Sequence, residues 1–420
     1  MQRRDFLRAS ALAAAAGLAG CAGMHGSGSR GRVVVVGGGY GGATAAKYVR
    51  LFDPSIEVVL VEPNEAFISC PISNLVLGGF KTLADITTPY TGLTSHHGVR
   101  IVRDMATAID ADKKQVRLAH GAPLPYDRVI VSPGIDFMAG AIPALASAQA
   151  QERVPHAWKA GPQTVALRRQ LEEMPDGGVY ILAIPPSPYR CPPGPYERAC
   201  QVAAYFKAKK PKSKVLVLDA NGDVTSKGPL FKKAWAELYK GIIEYRPNSR
   251  AVDVDLRAGV VKLEVEDVKG DVLNVIPPMK CGKIADAFIT ANNRWCEVDW
   301  ITYESKAAKG VHLIGDSTLS APGMPKSGHM ANAHGKACAA AVVALLNGEA
   351  PNPSPTLTNT CYSFVSESQV VHVASVHKYD AAARTMKSVP GSGGVSPAMN
   401  ELEADFALNW ARNIWADTLA

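Results

Sequence analysis

Eight cysteines, at positions 21, 70, 191, 200, 281, 296, 338 and 361, are the side chains most able to do redox or nucleophilic chemistry in this chain. Eight are too few for a disulfide scaffold in 420 residues. No C-x-x-C-H occurs, so the chain attaches no c-type haem of its own. Cys191 stands out by its setting. It follows the strand-like run 178–184 and precedes a helix predicted to begin near Pro195–Glu197. A helix N-terminus lowers a nearby thiol pKa, which predicts thiolate character for Cys191. A second chemical feature is Gly37-Gly38-Gly39-Tyr40-Gly41-Gly42, which contains G-x-G-x-x-G at Gly37, Gly39 and Gly42. The histidines His96, His97, His329 and His334 have no metal-site arrangement with nearby cysteines or carboxylates, so no metal is expected.

The elements around the glycines give them a function. Arg32–Val36 is a β-branched run, as in a buried parallel strand. A helix is predicted over 43–51 and a second strand over 57–61, ending at Glu62, 20 residues after Gly42. Gly37 permits the tight turn, Gly39 lets a pyrophosphate approach the backbone, and Gly42 allows close helix–strand packing. The helix N-terminus offers N–H donors to the phosphates, and Glu62 can accept from a ribose hydroxyl. The pattern therefore predicts a dinucleotide site.

Later segments narrow the dinucleotide. Residues 310–316 form a strand ending in Gly315-Asp316, which resembles the second flavin-binding motif of the glutathione-reductase-like flavoproteins. In that family the aspartate binds the ribityl chain, which implies FAD. The run 129–134 stands where they carry a short Ala-Thr-Gly segment. The middle of the chain repeats a strand–loop–helix–strand pattern, with strands over 178–184 and 214–219. Its loop, 185–195, is rich in proline and has one glycine, Gly194. Proline removes N–H donors and blocks close approach of a phosphate. The second unit is thus read as Rossmann-like without a nicotinamide site. Lys326, before the Ala-rich helix predicted over 329–346, is the candidate for stabilising negative charge on the reduced flavin, together with that helix N-terminus.

A longer resemblance covers nearly the whole chain. Cys191-Pro192-Pro193-Gly194-Pro195-Tyr196-Glu197-Arg198-Ala199, together with 156–161, 210–215, 276–278, 324–328 and 359–363, resembles the flavoprotein subunit family of flavocytochrome c sulfide dehydrogenase. The resemblance implies a redox-active disulfide between Cys191 and Cys361 beside the flavin. It implies a thioether from Cys70 to the flavin, and Glu197 as a proton carrier near the disulfide. It further implies hydrosulfide as substrate and a separate c-type cytochrome subunit as electron acceptor. The residues alone leave open a purely structural disulfide for the cysteine pair. A sulfide:quinone oxidoreductase and a non-catalytic flavin-binding subunit also stay open as readings of the whole.

Composition bounds these readings. Hydrophobic residues make up 47% and charged residues 20%, as in an ordinary globular protein. The net charge of +7 comes without a long Lys/Arg run, so nucleic acid is not an expected partner. The first residues, Met1 to Cys21, carry Arg3-Arg4 and then a short Ala-rich apolar stretch, which reads as a twin-arginine export signal. Leu18-Ala19-Gly20-Cys21 resembles a lipoprotein processing box, so a periplasmic location with a lipid anchor at Cys21 is one expectation. No segment is long and apolar enough for a membrane span. Leu402, Phe406, Trp410 and Ile414 at i+4 spacing predict an amphipathic C-terminal helix packed on the body or a partner. The region from Asn352 onward, with Trp410 and Trp415, is the candidate interface for the cytochrome.

The expected fold is α/β. It has two Rossmann-like domains of the glutathione-reductase type plus a C-terminal α+β interface domain. The boundaries are 1–29 for the export signal and linker, 30–155 and 285–350 for the two parts of the FAD-binding domain, 156–284 for the degenerate Rossmann-like domain and 351–420 for the interface domain.

Overall fold

The computed structural model describes residues 30–138 and 140–420. The export segment, with Arg3, Arg4 and Cys21, lies outside the described residues.

The valine run forms the strand Arg32–Val36, with Val33 to Val36 all buried. It is the middle strand of a five-stranded parallel sheet, in the order Val311–Leu313, Arg128–Val131, Arg32–Val36, Glu57–Val61, Arg100–Val102. Covered on both faces, such strands carry continuous rather than alternating apolar residues. The strand Val311–Leu313 returns to this sheet after a long excursion, so two separate segments of the chain build one unit. The helices Tyr40–Phe52 and Gly328–Leu346 pack against each other. Their approach depends on Gly335, where an added Cβ would lie 2.6 Å from the Gly41 carbonyl oxygen.

The excursion contains a second parallel sheet, in the order Ile243–Arg246, Lys214–Asp219, Val179–Ile184, Val272–Val275. The helices Pro162–Glu173, Gly194–Lys209 and Gly228–Leu238 belong to this unit. An antiparallel trio, Ala251–Asp255, Val260–Leu263 and Asp267–Lys269, shares a separate apolar cluster with the second sheet.

The C-terminal part pairs Thr356–Phe364 antiparallel with Val370–Asp380, which also pairs with Thr385–Ser388 and Gly394–Val395. The helix Leu402–Leu419 follows. Its buried face matches the predicted one only in part. Ala404, Ala407, Ala411, Ile414 and Thr418 pack inward, while Leu402 and Phe406 are exposed. Small side chains let the helix lie close to the body, which the apolar spacing of the larger residues does not reveal. Trp410 and Trp415 are half-buried and contact the body of the chain. Trp415 Nε1 donates to the Tyr40 hydroxyl at 3.0 Å, and Trp410 stacks near His329 and Tyr362. Among the described residues, no helix is long and apolar enough to cross a membrane.

Candidate active site

The glycine loop after Arg32–Val36 behaves as its spacing predicts. Gly37 has φ +96°, and a Cβ there would lie 2.4 Å from the Ser132 carbonyl oxygen. At Gly42 a Cβ would lie 1.8 Å from the Gly37 carbonyl oxygen, so only glycine lets the helix follow the strand so closely. Gly39 is different, because a Cβ there would meet nothing within 4 Å. That open face borders a cavity of about 440 Å³, within the size of small-molecule sites. Glu62 is buried at the cavity wall. It accepts from the Gly38 N–H at 2.7 Å, and from the Asn64 N–H and side-chain amide at 2.8 and 2.6 Å. A carboxylate has about four acceptor sites, so one is left for a ribose hydroxyl.

The opposite wall comes from the returning segment. Gly315 has φ +69°, and its N–H donates to His334 Nδ1 at 3.1 Å. Asp316 lines the cavity, and burial raises its carboxyl pKa. The helix Gly328–Leu346 begins at Ser327, whose hydroxyl accepts from the Met330 N–H at 3.0 Å, and Gly328 and His329 border the cavity. Lys326 does not. Its ammonium donates to the carbonyls of Asp316 at 3.0 Å and Thr318 at 2.5 Å, and it lies over the Trp295 ring at 3.8 Å. The lysine expected to act on the flavin thus sits behind the cavity wall, one residue from Ser327 and bonded to the carbonyl of Asp316, both of which line the cavity. Residue type and helix start mark the position, while the side-chain direction is set by buried carbonyls. The helix N-terminus is the part that reaches the cavity.

Cys70, Cys191, Cys361 and Glu197 all border the same cavity. Cys70 Sγ accepts from the Ala160 N–H at 3.5 Å. Cys191 takes φ +59°, and its N–H donates to the Lys326 carbonyl at 2.8 Å. Cys191 and Cys361 are free thiols in this structure. The helix after Cys191 begins at Gly194, as predicted within a residue or two, but its effect on the thiol is not the predicted one. The Gly194 N–H donates to the Cys191 carbonyl, and burial pushes the thiol pKa up, with Cys361 and Glu197 adding to the rise. Burying a thiolate works against the helix end here. Burial also raises the pKa of Cys361 and of Glu197.

Glu197 is held from two sides, by the Phe364 N–H and by the Asn74 side-chain amide, each at 2.8 Å. Arg198, almost fully buried, donates to Asn74 Oδ1, to the carbonyls of His156 and Ala157, and to Asn274 Oδ1. It fixes the 156–158 segment, and with it Trp158, against the helix that follows Cys191. Arg190 borders the cavity and donates to the Trp158 carbonyl. Sequence reasoning missed Asn74, Trp158, Arg190 and Arg198 as site residues, and it read Trp410 as a partner surface rather than as part of the cavity wall. Arg198 lay next to a singled-out residue, but nothing in its spacing predicts a buried arginine.

A glycine-loop dinucleotide domain in two chain segments, a second Rossmann-like sheet and a cysteine-lined cavity between the flavin motifs define a pyridine nucleotide-disulfide oxidoreductase type of flavoprotein. Residues 31–170 match that family. Residues 164–277 match the central region of the sulfide dehydrogenase (flavocytochrome c) flavoprotein chain, and residues 353–419 match the flavocytochrome c sulfide dehydrogenase flavin-binding region. The chain belongs to the family of flavocytochrome c sulfide dehydrogenase flavoprotein chains. It is 69% identical over 45 residues to the flavoprotein chain of Chlorobaculum thiosulfatiphilum, spanning 11% of this chain and 94% of that one. It is 26% identical over 310 residues to the mitochondrial sulfide:quinone oxidoreductase of Mus musculus, covering 68% of this chain and 65% of that protein. In fold it is similar to the sulfide:quinone oxidoreductase from Aquifex aeolicus, with a TM-score of 0.73 at 18% identity over 92% of this chain and 91% of that one.

The residues present fit a flavin dinucleotide. Gly39 leaves its face open, Glu62 keeps an acceptor free, and the Trp410 Nε1 donor at the cavity is buried without a partner.

Proposed function

We propose that this chain oxidises hydrosulfide to sulfane sulfur or polysulfide through a Cys191–Cys361 disulfide and FAD, and passes the electrons to a c-type cytochrome subunit. The observation that carries this reading is that Cys191 and Cys361, distant in sequence, line one cavity together with Cys70 and Glu197.

Hydrosulfide attacks the disulfide at the Cys191 sulfur. A new S–S bond forms there as the Cys191–Cys361 bond breaks. Cys191 becomes the persulfide, and the electron pair leaves on Cys361 as a thiolate. Glu197, whose pKa is raised by burial, takes up the proton of the persulfide. A second hydrosulfide takes the outer sulfur off Cys191 as a hydrodisulfide and leaves the Cys191 thiolate, and FAD, when bound, would supply the two-electron acceptor that lets the two thiolates return to the disulfide. The glycine loop and its helix would hold the pyrophosphate, Glu62 a ribose, Asp316 the ribityl chain, and Cys70 the ring through a thioether.

The second Rossmann-like unit supports a sulfide rather than a nicotinamide source of electrons. Asp219 stands where a ribose would bind, yet it is fully buried and accepts from the hydroxyls of Tyr196 at 2.7 Å and Tyr245 at 3.0 Å. At the start of the helix Gly194–Lys209, which follows Val179–Ile184, a Cβ on Gly194 would lie 2.8 Å from Cys191 Sγ and from the Trp158 ring, so two side chains crowd the helix end where a pyrophosphate would bind. Twin-arginine export to the periplasm, with or without a lipid anchor at Cys21, is part of the same proposal.

The test is the visible spectrum of the purified protein before and after anaerobic sulfide. Sulfide should bleach the flavin, and Cys191→Ser or Cys361→Ser should abolish the bleaching. Full bleaching in either variant would refute the disulfide role, and rapid reduction by NADH would refute the loss of the nicotinamide site. The similarity to sulfide:quinone oxidoreductases favours a quinone as a second reading of the acceptor. Comparing rates with cytochrome c and with a soluble quinone separates the two.

A further inference from the structure

One buried charge beside the cysteines has no part in the steps above. Lys227 is only 7% exposed and sits at φ +56°, at the N-terminal cap of the helix Gly228–Leu238. A lysine adopts this left-handed conformation only where the surroundings impose it. Its ammonium donates to the Ser363 hydroxyl at 2.7 Å, the Cys361 carbonyl at 3.0 Å and the Val371 carbonyl at 3.2 Å. All three acceptors are uncharged. Among the described residues, no carboxylate pairs with it at salt-bridge distance. A buried ammonium held only by neutral groups is costly, so the fold keeps it for an anion.

The register of the strand says which anion. Side chains alternate along a strand, so Asn359, Cys361 and Ser363 share one face of Thr356–Phe364. Asn359 contacts Cys361 Sγ at 3.5 Å from one side of that row, and Ser363 holds the Lys227 ammonium at the other. The Cys361 sulfur stands between them.

We propose that Lys227 is the fixed positive charge that stabilises the Cys361 thiolate, so that Cys361 rather than Cys191 is the sulfur released when the disulfide opens. This rests on the disulfide reading above. Lys227 is a positioning charge in it and makes no bond to substrate. The electrostatics of the pair agree with the geometry. After burial itself, Lys227 is the largest influence on the Cys361 thiol, and it pulls the pKa down. Burial pushes the Lys227 ammonium down to about 8, and Cys361 is the first of the groups that hold it up, ahead of Glu197, Cys191 and Glu403. For Cys191 the largest charged influences, Cys361 and Glu197, both push the thiol up. Arg190, committed to the Trp158 carbonyl, and Lys227 oppose them, and Lys227 is the weakest of the four, whereas at Cys361 it comes directly after burial.

The experiment is site-resolved alkylation of the dithiothreitol-reduced flavoprotein with iodoacetamide, read by peptide mass spectrometry from about pH 6 to about pH 10. The groups facing Cys361 are Lys227, Glu197, Cys191, Asn359 and Ser327, and of these Lys227 alone is varied. In the wild type, Cys361 should be modified faster than Cys191 at neutral pH. Lys227→Gln keeps hydrogen-bond donors but removes the charge, and it should slow Cys361 by about tenfold, one pKa unit of thiolate. Lys227→Arg should restore it, and Cys191 should change less. A Cys361 profile in folded Lys227→Gln that coincides with wild type overturns the proposal. So does a wild type in which Cys191 reacts first, an outcome that needs no variant to fold. Flavin bleaching by sulfide is scored separately, so the oxidation reading and the role of Lys227 can fail independently.

Discussion

The Glu197 carboxylate accepts the Phe364 N–H at 2.8 Å, and so ties the helix that follows Cys191 to the strand that carries Cys361. The same carboxylate takes the Asn74 side-chain amide at 2.8 Å, which adds the wall that carries Cys70. One buried acid thus holds together the three segments that bring the cysteines to the cavity.

Burial raises the Glu197 pKa, and this gives a signed prediction. The native state binds the proton more tightly than the unfolded chain does. The contribution of this group to stability is therefore full below the ordinary glutamate pKa of about 4.3 and is lost as pH rises through the folded value. Glu197→Gln removes the titration. It should cost about 1–3 kcal/mol by mispairing one buried donor, and the advantage of wild type over the variant should narrow as pH rises. Melting temperatures across the acid-to-neutral range check this. An advantage that grows with pH would contradict it.

The glycine loop separates packing from binding. Gly42→Ala would press a methyl into the Gly37 carbonyl, where the Cβ comes to 1.8 Å of a backbone oxygen. Helix and strand must then part, and soluble protein should be lost. Gly39→Ala meets nothing within 4 Å, so it should fold with a nearly unchanged melting temperature. Its methyl faces the cavity and should lower flavin content. The ratio of flavin to protein absorbance reads this directly. Full flavin occupancy in Gly39→Ala would mean that the dinucleotide does not approach there.

These residues also show where sequence is legible. Val33–Val36 and the spacing of Gly37, Gly39 and Gly42 encode their roles locally, because strand burial and backbone clearance depend on neighbours a few positions away. The same holds for the strand that leads to Gly315-Asp316. The roles of Lys326 and Lys227 are not encoded locally. Both are buried ammoniums, and their directions are set by carbonyls brought in by tertiary packing, from Thr318 in one case and from Val371 in the other. The C-terminal helix was legible in part. It packs on the body with Ile414 buried, but Ala404, Ala407 and Ala411 take the buried positions that Leu402 and Phe406 had suggested.

Lys326 should therefore matter for folding more than for the redox properties of the flavin. Lys326→Met leaves the buried carbonyls of Asp316 and Thr318 unpaired and should cost about 1–3 kcal/mol. Burial pushes this ammonium down to about 8. Between that value and the ordinary lysine value of about 10.4, the unfolded chain holds the proton and the native state does not, so wild type gains stability relative to Lys326→Met as pH rises through this window. Denaturant midpoints on the alkaline side test the slope. The flavin midpoint potential should stay close to wild type, and a large shift would return Lys326 to the role its position in the sequence suggested.

Cys70 tests how the flavin is held. Its sulfur borders the cavity, accepts the Ala160 N–H at 3.5 Å, and is half-buried. Replacing it removes only weak hydrogen bonding to sulfur, so Cys70→Ala should fold with a melting temperature close to wild type. If Cys70 carries the flavin as a thioether, acid precipitation of wild type leaves the yellow colour in the protein pellet, whereas Cys70→Ala releases all of it to the supernatant. The glycine loop, Glu62 and Asp316 are untouched by the substitution, so the native variant should still bind flavin, now reversibly and with a measurable dissociation constant. Complete release of flavin from acid-treated wild type would rule the thioether out. A Cys70→Ala protein that kept its flavin through acid would point to a different attachment residue.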